Sequence, residues 1–235
     1  ALVRGYVVTY KSLSIRPVRM RVLVVGAGGL LGGNVTSVAL DRNETVVTTY
    51  HSEDPGFDCP SHQIDITASN AVEDLVTAVD PDAIVNCAAM TDVDSCETNP
   101  EQAHAVNADG AEHVARAADS ADAALVHTST DYIFSGEETV PYPETAEPSP
   151  KQVYGKSKLA GEDRVREAHP DPLIARLSFV YGRSLPGGSI SGFPAWLLEK
   201  ARKGAEIPLF TDQRVSPSYA KVTAKTLLDL LKSDQ

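Results

Sequence analysis

The segment Gly26-Ala27-Gly28-Gly29-Leu30-Leu31-Gly32-Gly33 constrains the chain most, because it directly follows the apolar run Val22-Leu23-Val24-Val25 and opens a helical pattern. Gly26, Gly29 and Gly32 set a GxxGxxG spacing. Glycines at such a turn let backbone N–H groups approach a pyrophosphate and place that charge at a helix N-terminus, where the dipole favours it. A glycine-rich turn alone equally suits close helix packing. Its position between a first strand and a first helix is what points to a dinucleotide.

The same alternation continues down the chain. Short apolar runs predict strands near 21–26, 45–50, 82–87, 123–128 and 172–177. Helical periodicity predicts helices near 29–40, 69–79, 100–120, 152–168 and 189–203, and Tyr219 to Lys232 reads as an amphipathic helix. Strands alternating with helices build βαβ units and a parallel sheet. The expected fold is α/β: a Rossmann-type doubly wound parallel sheet over 20–180, then a small, less than full-length C-terminal substrate lobe over 181–235. Residues 1–19 are basic without acids and lack the apolar centre of a signal peptide, so they read as an N-terminal extension, with Met20 a natural start. Ser135 to Pro150, with four prolines, reads as an ordered loop at the active site.

Length and charge narrow the class of partner. The 235 residues suffice for one sizeable core. Acidic residues outnumber basic ones 32 to 21, and a net charge of −11 repels a phosphate backbone, so nucleic acid is not an expected partner. No apolar run approaches the ~20 residues of a bilayer span, and no membrane is expected. An acidic, lysine-poor surface also suits a high-salt cytoplasm, while plain solubility is the simpler reading. Cys59, Cys87 and Cys96 lack paired spacing, which implies a reducing compartment and a cytoplasmic location. Cys87, inside an apolar run, reads as a small buried hydrophobe. The carboxylates show no metal-ligand spacing, and no metal is expected.

An acid at the end of the second strand would bind a ribose 2′-hydroxyl, but here the run is Thr48-Thr49-Tyr50-His51-Ser52, with Glu53 and Asp54 slightly late. NADPH is therefore favoured over NADH, with Ser52 or His51 available to a 2′-phosphate. Asp65 and Ile66, at a strand end, would sit near the adenine; an Asp there equally suits a cap for the next helix.

Tyr154 and Lys158 stand four apart in Tyr154-Gly155-Lys156-Ser157-Lys158, which puts them on one helix face. Reduction of a ketone needs an acid to protonate the oxygen, and a neighbouring ammonium would move a tyrosine down towards a working range. Thr130, in Thr128-Ser129-Thr130-Asp131, lies at the C-terminal end of a strand, where α/β sheets bind ligands; its hydroxyl would bond a substrate carbonyl, or else cap a turn.

Taken together, Val85-Asn86-Cys87-Ala88-Ala89-Met90-Thr91, Val106-Asn107-Ala108-Asp109-Gly110, Ser129-Thr130-Asp131-Tyr132-Ile133-Phe134 and Val153-Tyr154 through Gly161-Glu162 resemble the dTDP-4-dehydrorhamnose reductase family. With Asp212-Gln213-Arg214-Val215-Ser216-Pro217, the resemblance runs from Met20 to the C-terminus. It implies an extended short-chain dehydrogenase/reductase of dTDP-rhamnose biosynthesis that uses NADPH or NADH on a 4-keto-6-deoxy nucleotide sugar. By the resemblance Tyr154 is the proton donor, Lys158 binds the nicotinamide ribose, and Thr130 tunes the tyrosine and contacts substrate with Asp131. Gly29, Leu30 and Leu31 line the pyrophosphate, while Ala88, Ala89, Met90, Thr91 and Thr128 belong to the cofactor's inner half. A nucleotide sugar is the implied partner, and a homodimer is compatible with it.

Two departures stand out. Phe179 occupies a place where the family typically has tryptophan against the sugar nucleotide, and the family pattern continues some tens of residues past Gln235 with segments of the substrate lobe. Epimerases and dehydratases share the fold, but a dehydratase resembles Thr-Asp-Glu where this chain has Thr130-Asp131-Tyr132. A third alternative is a non-catalytic, dinucleotide-binding subunit, since the methionine adenosyltransferase regulatory subunit also resembles the family.

Overall fold

The computed structural model describes residues 19–138, 141–190, 192–209 and 214–232. Residues 1–18 of the expected extension, and Asp212 and Gln213 of the last motif, lie outside the described residues.

Six strands, β1 (Arg21–Val25), β2 (Thr45–Tyr50), β3 (Ser61–Gln63), β4 (Ala83–Asn86), β5 (Ala124–Thr130) and β6 (Leu173–Leu177), form one sheet in the order β3-β2-β1-β4-β5-β6. All neighbours are parallel. The chain winds outward from β1 and then restarts at β4, so the two halves part between those strands. A ligand crevice forms beyond the C-terminal ends at such a reversal.

Helices α1 (Leu30–Asp41) and α2 (Ser69–Val79) alternate with the first strands, and α3 (Val93–Thr98), α4 (Pro100–His104) and α5 (Gly110–Ser120) follow β4. The α6 helix (Val153–Ala168) precedes β6. Beyond β6, β7 (Val180–Tyr181), the β8–β9 pair (Arg183–Ser184 and Ser189–Ile190) and α7 (Gly192–Arg202) lead to β10 (Ser218–Tyr219) and α8 (Ala220–Leu230).

Side chains alternate across a strand, so each central strand feeds two cores. Leu23, Val25, Ile84 and Leu125 pack with Val72 and Val76 of α2, Val114 and Ala118 of α5 and Val165 of α6. On the other face Val22, Val24, Val85 and Val126 pack with Val35 and Val38 of α1 and with Ala224, Leu227 and Leu228 of α8. Fully burying each Val or Leu contributes about 1.5–3 kcal/mol. A one-residue slip would exchange the two sets, so the central register is fixed by burial.

The departures from the predicted elements have local causes. The edge strand β3 is polar and largely exposed, so it carries no apolar signal. The helix predicted over 100–120 is interrupted by a π-helical turn, Ala105–Asp109. The helix predicted over 189–203 begins at Gly192, because Ser189 and Ile190 pair antiparallel with β8. Among the described residues, no helix is long and apolar enough to cross a membrane.

Candidate active site

The glycine turn sits at the mouth of the crevice, and its geometry explains its composition. Gly26 has φ +85°, and a Cβ there would lie 2.8 Å from the Ala88 nitrogen, so the turn is pressed against the segment leaving β4. A Cβ on Gly32 would lie 2.2 Å from the Gly26 carbonyl oxygen. Gly28 and Gly29 are exposed, and a Cβ on Gly28 would meet only the Glu53 carbonyl, at 3.9 Å. The first N–H groups of a helix have no acceptors within it. Gly29 at the head of α1 supplies no side-chain cap and the first turn holds no acid. Open space and unsatisfied donors fit a pyrophosphate. Leu30 and Leu31 are half-buried beside it.

Behind the turn, Asn107 in the π-helical stretch holds Met90 at both backbone groups: its Oδ1 accepts from the Met90 N–H at 2.8 Å, and its Nδ2 donates to the Met90 carbonyl at 2.9 Å. The same amide donates to Ser157 Oγ on α6 at 3.0 Å, tying the segment after β4 to the helix of Tyr154. Ala88 and Ala89 are half-buried on that segment and Thr91 is exposed. Thr128 donates its hydroxyl to the Asn86 carbonyl at 3.0 Å, joining the ends of β4 and β5.

At the outer edge, Ser52 is exposed with its Oγ 3.1 Å from His51 Nδ1. Asp65 Oδ1 accepts from both the N–H and the hydroxyl of Thr67, which holds its carboxyl below the usual range. Its side chain thus closes the turn before α2 without capping the helix, whose N-cap is Ala68 with no side-chain cap. The Ile66 side chain is buried in the core against Gly110.

Tyr154 and Thr130 meet because α6 comes unusually close to the end of β5. A Cβ on Gly155 would lie 2.2 Å from the Tyr132 carbonyl oxygen, and one on Gly161 2.1 Å from that of Asn107. Gly155 thus lets the helix lie against the turn Asp131–Ile133, and Gly161 lets it lie against the π-helical stretch at Asn107. Thr130 accepts from the Tyr132 N–H at 3.2 Å, capping that turn, and its hydroxyl is near enough to Tyr154 to oppose the rise of the phenol. The Tyr132 and Tyr154 rings stand edge to face at 5.6 Å. Glu97 of α3 accepts from the Val153 N–H at 2.7 Å and so caps the helix one residue before Tyr154. Asp131 Oδ1 accepts from Thr130 Oγ1 at 3.3 Å.

The electrostatics correct one expectation. Lys158 does not bring the tyrosine into a working range: burial pushes the Tyr154 phenol up to about 12, against the opposing effect of the Thr130 hydrogen bond. Lys158 is itself sealed at 1% exposure and donates to the Thr128 carbonyl at 2.8 Å, with His127 Nε2 at 3.4 Å. Burial lowers it to about 8, opposed by the charge of Glu162. Cys87 has its thiol pushed up to about 12 by burial, in keeping with a hydrophobe rather than a nucleophile.

Phe179 adopts φ +38°, in the left-handed region that an aromatic residue rarely visits, at the exit from β6. It stacks on Tyr181 at 6.5 Å and meets Phe193 of α7 edge-on at 6.0 Å. Phe193 and Trp196 extend the aromatic surface along α7, and Tyr219 extends it from β10. The described part of the 135–150 loop is tied down beside Thr130: Ser149 N–H donates to the Ile133 carbonyl at 2.8 Å, and Tyr142 stacks on Phe134 at 4.4 Å. Arg176 lies over Phe134 at 5.3 Å and donates to the Glu144 carbonyl.

The structure therefore gathers the glycine turn, Ala88, Met90, Thr128, Thr130, Tyr154 and Lys158 around the β1/β4 crevice, whereas Ser52 and Asp65 lie at the outer sheet edge. Asn86, Asn107, His127 and Glu162 were assigned no role from sequence. Asn86 and Asn107 stand as polar residues among apolar or small neighbours, Val85 and Cys87 or Val106 and Ala108, which is a signal that sequence carries; His127 and Glu162 adjoin further polar residues and carry none.

Residues 20–235 match the family described as RmlD substrate binding domain. The chain is 48% identical over 212 residues to the probable low-salt glycan biosynthesis reductase Agl14 of Haloferax volcanii, covering 90% of this chain and 71% of that protein. It is 37% identical over 214 residues to the dTDP-4-dehydrorhamnose reductase of Mycobacterium tuberculosis, covering 89% of this chain but 65% of that protein. The crystal structure of the Bacillus anthracis dTDP-4-dehydrorhamnose reductase in complex with NADP superposes with a TM-score of 0.77 at 31% identity, over 92% of this chain and 71% of that one. The match to the family across residues 20–235, on a sheet of the expected order, means that this chain belongs to the RmlD, or dTDP-4-dehydrorhamnose reductase, family.

Proposed function

We propose that this chain carries the site of an NAD(P)H-dependent oxidoreductase that reduces the 4-keto group of a 4-keto-6-deoxy nucleotide sugar. One observation carries the reading: a half-buried tyrosine set against the turn that leaves a strand-end threonine, beside an uncapped glycine turn in the β1/β4 crevice. The relatives named as reductases, and the relative solved with NADP, support the cofactor and the substrate class.

When bound, the nicotinamide cofactor supplies the hydride. Tyr154 keeps its proton through the neutral range, since its phenol ionises only near about 12. It gives that proton to the substrate oxygen as charge develops there. Thr130 stabilises the phenolate left behind by its hydrogen bond, and Asp131 stands beside it for a sugar hydroxyl. Lys158 holds the ribose and contributes positive charge. Gly26, Gly29, Leu30, Leu31 and Gly32 hold the pyrophosphate by backbone, and Ser52 the outer ribose; Asp65 and Ile66 flank the adenine. Ala88, Ala89, Met90, Thr91 and Thr128 line the inner half. Phe179 and the aromatic surface after residue 181 face the sugar nucleotide, with α8 returning to pack on α1.

Deuteride transfer tests the reading. With NADPH deuterated at carbon 4 of the nicotinamide and a dTDP-4-keto-6-deoxy sugar, one deuterium should appear at carbon 4 of the product sugar. Deuterium at no sugar carbon, with the cofactor bound, would sink it.

A further inference from the structure

Two buried side chains behind Lys158, Asn86 and His127, form a chain whose hydrogen-bond directions are fixed from one end. The Ala88 N–H can only donate, and it donates to Asn86 Oδ1 at 3.1 Å. The Asn86 amide is thereby oriented, and its Nδ2 lies 3.3 Å from His127 Nδ1. Asn86 and His127 are register partners on β4 and β5, with exposures of 1% and 0%, so water does not compete. An NH2 group can only donate, so His127 Nδ1 accepts, and a neutral imidazole carries its one proton on Nε2. That N–H faces the Lys158 nitrogen at 3.4 Å.

We propose that the Asn86–His127 pair is a positioning device for Lys158: it locks the imidazole as the Nε2–H tautomer, so that a donor rather than a lone pair faces the lysine nitrogen. An amine accepts from that donor, whereas an ammonium meets it donor to donor. The pair therefore shifts the buried lysine towards its neutral form. Its use in turnover rests on the reductase reading; the tautomer does not.

The surroundings bear on the same equilibrium. Burial lowers Lys158, Glu162 on its own helix opposes that, and Cys87 from the segment after β4 opposes it too. His127 is held well below its usual range by burial, then by Lys158 and Arg166, which keeps it neutral.

The test is 15N NMR of the full chain labelled at its histidine rings, with the His127 signal assigned by its loss in His127→Gln. Wild type should show a protonated Nε2 and a bare Nδ1. In Asn86→Asp, the new carboxylate accepts from Nδ1 and the tautomer should invert. Following the Nε2 shift from pH 6 to 10 should report Lys158 ionising near about 8. That titration should vanish in Lys158→Met. In Asn86→Ala, which adds no charge, the midpoint should rise by about one unit as the imidazole is freed to turn its lone pair to the ammonium. A wild-type Nδ1–H tautomer overturns the proposal whether or not the Asn86 variants fold, and so does an unmoved midpoint in Asn86→Ala. Loss of turnover with these signals intact would count against the reductase reading alone.

Discussion

Lys158 and Glu162 lie one turn apart on α6, both sealed from solvent, and they direct their hydrogen bonds to different strands. Lys158 donates to the Thr128 carbonyl on β5, while Glu162 accepts from Arg176 on β6 at 2.8 Å and from Arg166 at 2.9 Å. Burial alone would raise the Glu162 carboxyl, but its arginine partners hold it below the usual range. A fixed anion thus offsets the buried cation without neutralising it by contact.

Glu162→Gln should cost about 3 kcal/mol in urea unfolding, because removing one partner of a buried pair strands the other. Arg176 also reaches Phe134 and the Glu144 carbonyl, so the 135–150 loop should gain protease sensitivity in the same variant. A loss below about 0.5 kcal/mol, the size of an exposed pair, would contradict this placement.

The glycine turn separates two kinds of glycine. Gly32→Ala forces a Cβ to 2.2 Å from the Gly26 carbonyl, so NADPH affinity should fall at least about tenfold by fluorescence titration, the turn being displaced. Gly204→Ala meets nothing within 4 Å of its Cβ and lies past the end of α7, so its affinity should be unchanged although its φ of +60° costs stability. Equal affinities for both variants would refute the close approach.

Stability should pass through a maximum in mildly alkaline solution. Lys158 ionises near about 8 when folded against 10.5 ordinarily, so the unfolded chain binds more protons in between and stability rises across that window. Cys87, raised from 9.0 to about 12, and Tyr154, raised from 10.0 to about 12, bind more protons folded; Cys87 cancels the Lys158 rise from pH 9 to 10, and stability falls above pH 10 as Tyr154 joins. Relative to wild type, Lys158→Met should lose the rise between pH 8 and 9, and Cys87→Ala should soften the later fall. Urea midpoints from pH 7 to 10.5 decide it; parallel profiles for all three proteins would be contrary.

Phe179 presents an aromatic face with no ring N–H. Phe179→Ala should raise KM for the sugar nucleotide about tenfold, the worth of one stacking contact, while changing kcat little. A matching loss in kcat would instead place Phe179 at the reacting atoms.

The sheet was legible in the sequence because β1, most of β4 and the first half of β5 are buried on both faces and read as short apolar runs. The edge strand β3 escaped notice because Ser61-His62-Gln63 is exposed, and the dipeptide strands β7 to β10 are too short to carry a period. In the site, the glycine turn and the Tyr154/Lys158 spacing are local patterns and were visible. Asn107, which ties Met90 to Ser157, and His127, which reaches Lys158 from β5, act across 17 to 50 residues of chain, a distance no local pattern reports. The ionisation of Tyr154 was misjudged for the same reason: four-residue spacing placed the lysine on the same helix face, but only the fold shows its ammonium turned to the Thr128 carbonyl.

The central claim is that Tyr154 delivers the proton in a reduction that this site performs. It is tested by NADPH oxidation with dTDP-4-keto-6-deoxy-L-mannose, comparing wild type with Tyr154→Phe in low and high salt. The account predicts oxidation by wild type and a fall in kcat of about 10²–10⁴ in the variant with NADPH affinity unchanged, the worth of one positioned acid. Equal kcat in the two proteins would contradict it.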